Sequence, residues 1–417
     1  MSVNRKAQYR LYPKSGQLED IERIADVARW CYNSALADRI WMYREWGKSL
    51  NFSGQCRDLK ALRESKPEWQ AVHTHILQVS LKRLDLAFGH FFRRVKSGDT
   101  PGFPRFKSRH RPSGFGLKEH GNGWKITLSQ KGGILRIHGV GDVKFRGRSR
   151  HDHGKPKTVE VFERGGHWFA SVTWQCEVNP VRASGQEQVG IDWGVETFAT
   201  VAGSDGNDYR IENPRHLAKS QAKLKRLQRK LSRARRGSKN RKKVKALLVR
   251  THAKVANQRK DFCHQSACRI VATSSHIGVE KLDTASMLSS SPKGSAKAAA
   301  RGLHRSITDA TPHLFHSILK CKAEEAGIPY VEVDPLKHKP SQTCSVSALQ
   351  AKKTLAQRMH RLPDGSLIPR DLNAARVILL ISLGWIPTRA GWEPCQVSAT
   401  KVLPFVAHET SPILLRS

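Results

Sequence analysis

Acidic side chains are in short supply: 35 Asp and Glu face 73 Lys and Arg, a formal charge of +38. Such an imbalance excludes a surface that neutralises itself, and self-repulsion on this scale hinders compaction unless a polyanion supplies the missing charge. Nucleic acid is the partner this composition suits. A ribosomal or nucleoid protein would share it, so charge alone does not imply catalysis. An anionic membrane fits less well, because the basic residues spread along the whole length. No apolar run approaches the ~18 residues of a membrane-spanning helix. The opening Met1-Ser-Val-Asn-Arg-Lys-Ala7 lacks the apolar stretch of a secretory signal, so a cytoplasmic location is expected. No two of the eight cysteines form a CxxC pair. That leaves reduced, mostly buried thiols as the expectation.

With 417 residues, 38% of them hydrophobic, the chain is long enough for two or three domains. Residues 3–12 alternate and predict a strand running into Tyr12-Pro13. From Ser15, Leu18, Ile21, Ala25, Ala28 and Cys31 follow helical spacing, and Leu77, Leu81, Leu84, Phe88, Phe91 and Val95 mark a second helix. Ser97-Gly98-Asp99 and the prolines at 101 and 104 stop it. Residues 114–178 turn to β-formers with Gly-rich turns, and Trp168, Ala170, Val172, Trp174 and Cys176 alternate. A small antiparallel barrel is expected, with the first strand joining it and the helical unit inserted.

After Gly185, Val189–Asp192 and Phe198–Ala202 predict two strands, and Asn213-Pro214 predicts an N-cap and first-turn proline. Leu217, Leu224, Leu227 and Leu231, then Val244, Leu247, Leu248 and Val255, predict a helical hairpin broken at Arg236–Asn240. From Arg215 to Lys260 it carries nineteen Lys or Arg and no acid. A solvated helix face normally alternates charge sign; a face of one sign favours phosphate contact. Lys223, Arg226, Arg229, Lys230, Arg233, Lys242 and Lys243 are the candidate contacts. Ile277–Glu280 and Ile328–Val333 predict buried strands, residues 286–312 read as a mobile Ser-, Ala- and Lys-rich stretch, and a helix begins near Asp371.

Against this basic background three acids stand out. Asp192 lies in Val-Gly-Ile-Asp-Trp-Gly, Glu280 lies in His-Ile-Gly-Val-Glu-Lys-Leu, and Asp371 opens Asp-Leu-Asn-Ala-Ala-Arg. A buried strand ending in a carboxylate is costly unless the charge is compensated. An ion pair with a nearby cation is the plain reading of each, and Asp371 alone could be a helix cap. The order strand, strand, helix is that of the acidic triad of an RNase H-type nuclease. There, Asp192, Glu280 and Asp371 would be catalytic and would hold two Mg²⁺ ions for phosphodiester hydrolysis.

The chain resembles the TnpB family, transposon-encoded RNA-guided DNA endonucleases related to compact type V CRISPR effectors. The likeness rests on Arg10-Leu-Tyr-Pro13, Tyr32-Asn-Ser-Ala-Leu36, Leu77-Gln-Val-Ser-Leu-Lys82, Gly102-Phe-Pro-Arg-Phe-Lys107, Gly190-Ile-Asp-Trp-Gly194, Val279-Glu-Lys-Leu282, Pro340-Ser-Gln-Thr-Cys344 and Arg370-Asp-Leu-Asn-Ala-Ala375. It implies a multidomain α+β protein with a wedge-type antiparallel β-barrel (1–13 and 108–182) and an inserted helical recognition lobe (14–107). An RNase H-like (RuvC) α/β nuclease domain follows (183–336 and 371–400), with a helical-hairpin insertion. A target-nucleic-acid-binding insert (337–370) and a tail (401–417) complete it. The resemblance also implies guide and scaffold RNA, a double-stranded DNA target with a short adjacent motif, and a prokaryotic, nucleoid-associated monomer. Gln78 and Lys82 would approach that motif; Arg105, Lys107, Gln342 and Arg370 are further nucleic-acid candidates.

One departure is plain. Where the family carries two CxxC pairs, Cys344 stands alone, Ser347 takes the second position, and Arg361 to Asp364 replace the second pair. Cys344, His338 and His360 lack zinc spacing, so no structural zinc is expected and residues 345–369 should be loosely ordered until nucleic acid binds. Two rival functions follow: a guided DNA-binding repressor with weak or no cleavage, and an RNase H-fold transposase.

Overall fold

A computed structural model describes residues 2–109, 114–177, 185–289, 296–354 and 356–395. The expected boundary at 182/183, residues 396–400 and the tail at 401–417 lie outside them. The chain divides into two units, Met1–Val178 and Asn179–Ser417.

In the first unit β1 (Ser2–Tyr12) leads into four helices, α1 (Ser15–Trp46), α2 (Phe52–Glu64), α3 (Pro67–Gln70) and α4 (Thr74–Ser97). Six strands follow: β2 (Gly114–Leu117), β3 (Trp124–Ser129), β4 (Gly132–Ile137), β5 (Gly141–Arg146), β6 (Lys155–Arg164) and β7 (His167–Glu177). All seven strands form one antiparallel sheet in the order β2-β6-β7-β1-β5-β4-β3. β1 is therefore central, and the four helices fall between it and β2 in sequence. The order has two ends, and no hydrogen-bonded pairing among the described residues joins them into a closed barrel. Alternation explains the packing: Trp168, Ala170, Val172, Trp174 and Cys176 all face the core. Ile21, Ile24, Ala28, Cys31 and Leu36 of α1 and Ile76, Leu77, Leu81 and Leu84 of α4 join the same core.

The second unit opens with β8 (Glu187–Trp193), β9 (Thr197–Gly203) and β10 (Tyr209–Glu212), then the helical pair α5 (His216–Arg233) and α6 (Lys239–Thr273). β11 (Ser274–Glu280), α7 (Thr284–Ser289), α8 (Ala296–Ala310), α9 (Pro312–Ala326), β12 (Tyr330–Val333) and α10 (Pro335–His338) come next. The hairpin β13 (Met359–Arg361) and β14 (Leu367–Pro369), the helix α11 (Arg370–Ser382), and the hairpin β15 (Trp385–Thr388) and β16 (Gly391–Pro394) complete it. The sheet order is β10-β9-β8-β11-β12, antiparallel from β10 to β8 and parallel from β8 to β12.

Odd positions of β8 and β11 (Val189, Ile191, Ile277, Val279) pack with Cys263, Ala267 and Ile270 of α6 and Phe315 and Leu319 of α9. Even positions face α11. There Gly190 and Gly278, paired in register, leave room for the helix backbone. A Cβ on Gly190 would strike the Ala375 carbonyl oxygen and stand 2.6 Å from the Leu379 nitrogen; one on Gly278 would stand 2.6 Å from Ser382 Cβ. Ala348, Trp392, Val377 and Leu380 form a further core on α11.

Three expectations are corrected. Residues 286–312, read as mobile, hold α8 over most of their length, because an Ala-rich stretch with Leu303, Ile307 and Ala310 in helical register favours helix. Asn213 does not cap α5. Its amide donates to the Val195 carbonyl at 2.7 Å, its oxygen accepts from Arg215 N at 3.1 Å, and Asp309 of α8 takes the capping role, accepting from Leu217 N and Ala218 N at 2.8 and 3.1 Å. Residues 345–369 are ordered by side chains. Asn373 of α11 accepts from Ser345 N and donates to Thr343 O at 2.9 and 2.7 Å, Trp392 donates to Cys344 O at 3.2 Å, and β13 pairs with β14.

Gly190→Ala is expected to destabilise the protein by about 1–3 kcal/mol, since the added methyl meets backbone rather than a movable side chain. Gly89→Ala, mid-α4 with nothing within 4 Å of a new Cβ, is expected to stabilise it by about 0.5–1 kcal/mol. Chemical denaturation of both variants checks the pair.

Candidate active site

Two facing strand ends and one helix start supply the acids. Ile191 of β8 lies across from Val279 of the parallel β11, so the next residues, Asp192 and Glu280, stand at neighbouring carboxyl ends. Their side chains are hydrogen-bonded. Asp371 sits in the first turn of α11. It shares a helix face with Ala375 and Leu379, the residues pressed against Gly190.

Burial first, and then the Glu280 and Asp371 carboxylates, push the Asp192 carboxyl well above the ordinary range, while Arg370 pulls the other way. Burial also raises Glu280, and its bond to Asp192 lowers it.

Asp192 and Asp371 line a cavity of about 630 Å³ whose walls also carry Arg215, Glu196, Asp309, Ser341, Arg358 and Arg370. Arg370 Nε is 3.7 Å from Asp371 Oδ1, and its backbone N–H donates to the Arg358 carbonyl at 2.9 Å. Arg358 pairs with Glu196 at 3.3 Å. Among the described residues no three His, Cys, Asp or Glu side chains form a ready cation cage: the site is a bonded carboxyl pair with a third carboxylate acting on it. The charge pattern nonetheless fits a divalent ion, because acids that repel one another in a buried pocket are what a bound cation would relieve.

The other candidates fall in separate places. Gln78 and Lys82 lie one turn apart on α4; Gln78 accepts from Lys118 at 3.0 Å, and Lys82 pairs with Asp85 at 3.0 Å. Arg105 and Lys107 line a cavity in the first unit. Lys223, Arg226, Arg229, Lys230, Arg233, Lys242 and Lys243 are all exposed on α5 and α6, four of them around a concavity with Ala222 and Lys225. Gln342 sits beside Ser341, its carbonyl accepting from Ala351 N at 3.0 Å. Arg370 alone of these joins the acids.

Sequence reasoning missed Arg215, Arg358 and Asp309. Asp309 is buried, pairs with Arg259 at 2.9 Å and ties α5 and α6 to α8 at the cavity wall. No local pattern marks a tertiary cap of this kind. In the insert, Cys344 is buried and free. Lys353 Nζ donates to His360 Nδ1 and, at 3.2 Å, to the Ser341 carbonyl. Burial, then Lys353, push the His360 imidazole down to about 4, so it accepts as a neutral ring.

This geometry can be set beside known proteins. Cas12f1, in the cryo-EM structure of the Cas12f1–sgRNA–target DNA complex, matches over 91% of this chain and 99% of that one with a TM-score of 0.59 at 13% identity. The fold is thus the mixed α/β fold of a compact type V effector. Residues 171–291 match the OrfB_IS605 family, described as "Probable transposase", and residues 313–378 match the Cas12f1-like TNB domain. Residues 1–48 match a helix-turn-helix domain of the same family, although here they form one strand and one long helix. An Escherichia coli K12 protein named "Putative RNA-guided DNA endonuclease InsQ" is 30% identical over 382 residues, 89% of this chain and 90% of its own. A Streptomyces pristinaespiralis protein named "Putative RNA-guided DNA endonuclease" is 29% identical over 395 residues, 91% and 90% of the two chains. The chain belongs to the OrfB (TnpB) family. No helix among the described residues is long and apolar enough to cross a membrane.

Because Asp192 is held against its neighbours' charge, Asp192→Asn is expected to raise the melting temperature in EDTA-containing buffer near pH 7.5. The gain should be about 1–2 kcal/mol, as at functional sites that trade stability for activity. Scanning calorimetry reads it; equal or lower stability would show that the acids are not in conflict.

Proposed function

We propose that the chain is an RNA-guided DNA endonuclease that hydrolyses phosphodiester bonds at Asp192, Glu280 and Asp371. The observation that carries this is the meeting of three acids from two parallel strand ends and one helix start, two of them, Asp192 and Asp371, lining a cavity that also carries Arg215, Arg358 and Arg370, in a protein of charge +38. The sheet order, with three antiparallel strands followed by two parallel ones, supports an RNase H-like (RuvC) reading of the second unit. The names of the relatives and the Cas12f1-like fold support guide RNA and double-stranded DNA as partners.

The three carboxylates would hold two Mg²⁺ ions, which when bound supply positive charge against the phosphate and against the acids themselves. The chain's own residues do the rest. Arg215, Arg358 and Arg370 bind the phosphates flanking the scissile bond, and the Arg358–Glu196 pair opens to free one of these cations. The basic face of α5 and α6 holds a nucleic-acid backbone, each neutralised phosphate adding about 0.9 to the salt slope for duplex DNA. Gln78 and Lys82 on α4 would meet the target-adjacent motif, base pairing reading the remaining sequence. Gln342 belongs to the insert that handles the target.

The second reading, a guided repressor, draws on the lack of a ready three-ligand cage among the described residues. One experiment separates the two. RNA that co-purifies with the protein supplies the guide, and a plasmid library randomised beside the target supplies the motif. With Mg²⁺, the wild type is expected to cut, and Asp192→Ala to lose roughly a thousandfold or more of that rate. Mg²⁺ should also raise the wild-type melting temperature by about 2–4 °C without moving that of Asp192→Ala. Tight target binding with no cutting by the wild type would establish the repressor instead.

A further inference from the structure

Two sequence motifs, Tyr32-Asn33 and Gly102–Lys107, have no part in the acidic site, yet the first unit brings them together. Asn33 holds Lys107 from both sides, accepting from its backbone N–H at 2.8 Å and donating to its carbonyl at 3.0 Å. Lys107 Nζ lies 3.8 Å from the centre of the Tyr32 ring. Pro104 is buried, so this segment, though neither helix nor strand, is anchored at two points. Beside these anchors Phe103 and Phe106 stand about half exposed, at 48% and 56%. Phe103 packs edge-on against Phe91 and Phe88 of α4, and the exposed Phe92 continues the cluster. Large aromatic rings held in water by a fixed backbone need a partner to cover them.

Phe106 borders a cavity of about 500 Å³ that collects four cations, Arg29, Arg83, Arg105 and Lys107. Two have acids of their own: Arg29 pairs with Asp26 at 3.0 Å and Arg83 with Glu160 at 3.6 Å. Glu163 at the rim accepts from Gly166 N. Among the described residues no carboxylate pairs with Arg105 or Lys107, and burial followed by Arg83 pushes the Lys107 amine down to about 8. Cations gathered in a concave site with too few acids favour an anion. A ring at the mouth of such a site adds a stacking surface that a free phosphate would not use.

We propose that this cavity is a socket for one unstacked nucleotide of a single strand, its phosphate on Lys107 and Arg105 and its base against Phe106, with Phe103 and Phe92 carrying the bases that follow. A duplex cannot use it, because paired bases do not present their faces. The proposal rests on the reading of the chain as a nucleic-acid enzyme, but its readout is binding, so a failed socket and a failed nuclease are told apart.

The test uses the full-length protein and two fluorescent 15-mers, RNA and DNA, each carrying 5-iodouracil. Long-wavelength irradiation should attach at least one of them to Phe106 or Phe103, and the strand that attaches identifies the occupant as RNA or DNA. Phe106→Leu should remove that adduct and weaken the same strand roughly tenfold. Lys107→Gln, or Arg105→Gln should the first not fold, should lower the salt slope by about 0.7, which Phe106→Leu leaves unchanged. Binding of a 15-base-pair duplex should be unaffected. Adducts confined to other peptides, unchanged single-strand affinity in both variants, or equal losses for the duplex would overturn the socket.

Discussion

The second unit depends on how closely one helix can lie on one sheet. Gly190 and Gly278, side by side on β8 and β11, let the backbone of α11 approach to where any side chain would collide. Each glycine is two residues before an acid on its own strand, so the face that admits the helix also carries Asp192 and Glu280. Asp371 is then delivered by helical geometry: it lies four residues before Ala375 and eight before Leu379, the two contacts at Gly190. Close approach and acid convergence have one cause.

That cause sets the energetics of the site. Three acids brought together inside a protein raise one another's cost, and burial together with the Glu280 and Asp371 carboxylates holds the Asp192 carboxyl well above its ordinary range. The arginines of the cavity wall do not cancel the cluster: Arg358 is engaged with Glu196, and Arg370 bears on Asp371 from 3.7 Å. Elsewhere the imbalance is the reverse, with nineteen Lys or Arg and no acid in the sequence from Arg215 to Lys260. An under-neutralised anionic pocket and over-cationic helices thus leave opposite charges uncompensated in two places.

What could be read in advance followed from periodicity and from scarcity. The strands expected over 189–192 and 277–280 lie within β8 and β11, the helix expected near Asp371 opens at Arg370, and the core faces of α1 and α4 and the break between α5 and α6 fall where apolar spacing puts them. Rare acids in a basic chain drew attention to three residues, and folding brings them close. What escaped was tertiary. Asn213-Pro214 carries a local capping signal, but Asp309, about ninety residues away, satisfies the start of α5 and recruits Arg259 as well. The Ala-rich stretch before it reads as linker because its helix is held by a partner face that composition does not display. Gly190 and Gly278 look like ordinary strand glycines until the helix they admit is known.

The insert shows the same point in its sharpest form. Judged by metal ligands alone, the stretch from Cys344 to Pro369 has lost what would order it, since one buried thiol cannot hold zinc in a tetrahedral site. Its order comes instead from bonds to α11 and its neighbours. Asn373 is fully buried and uses its amide oxygen and its amide nitrogen on the backbone of Ser345 and Thr343, and Trp392 closes on Cys344 from the other hairpin. Lys353 places its ammonium between His360 and the Ser341 carbonyl, a cation within the loop where a metal ion would otherwise serve as cross-link. Asn373 is two residues past Asp371 on the same helix. The contacts that order the insert therefore also fix the first turn of α11, and a disturbance in the insert reaches the third carboxylate through two hydrogen bonds and half a helical turn.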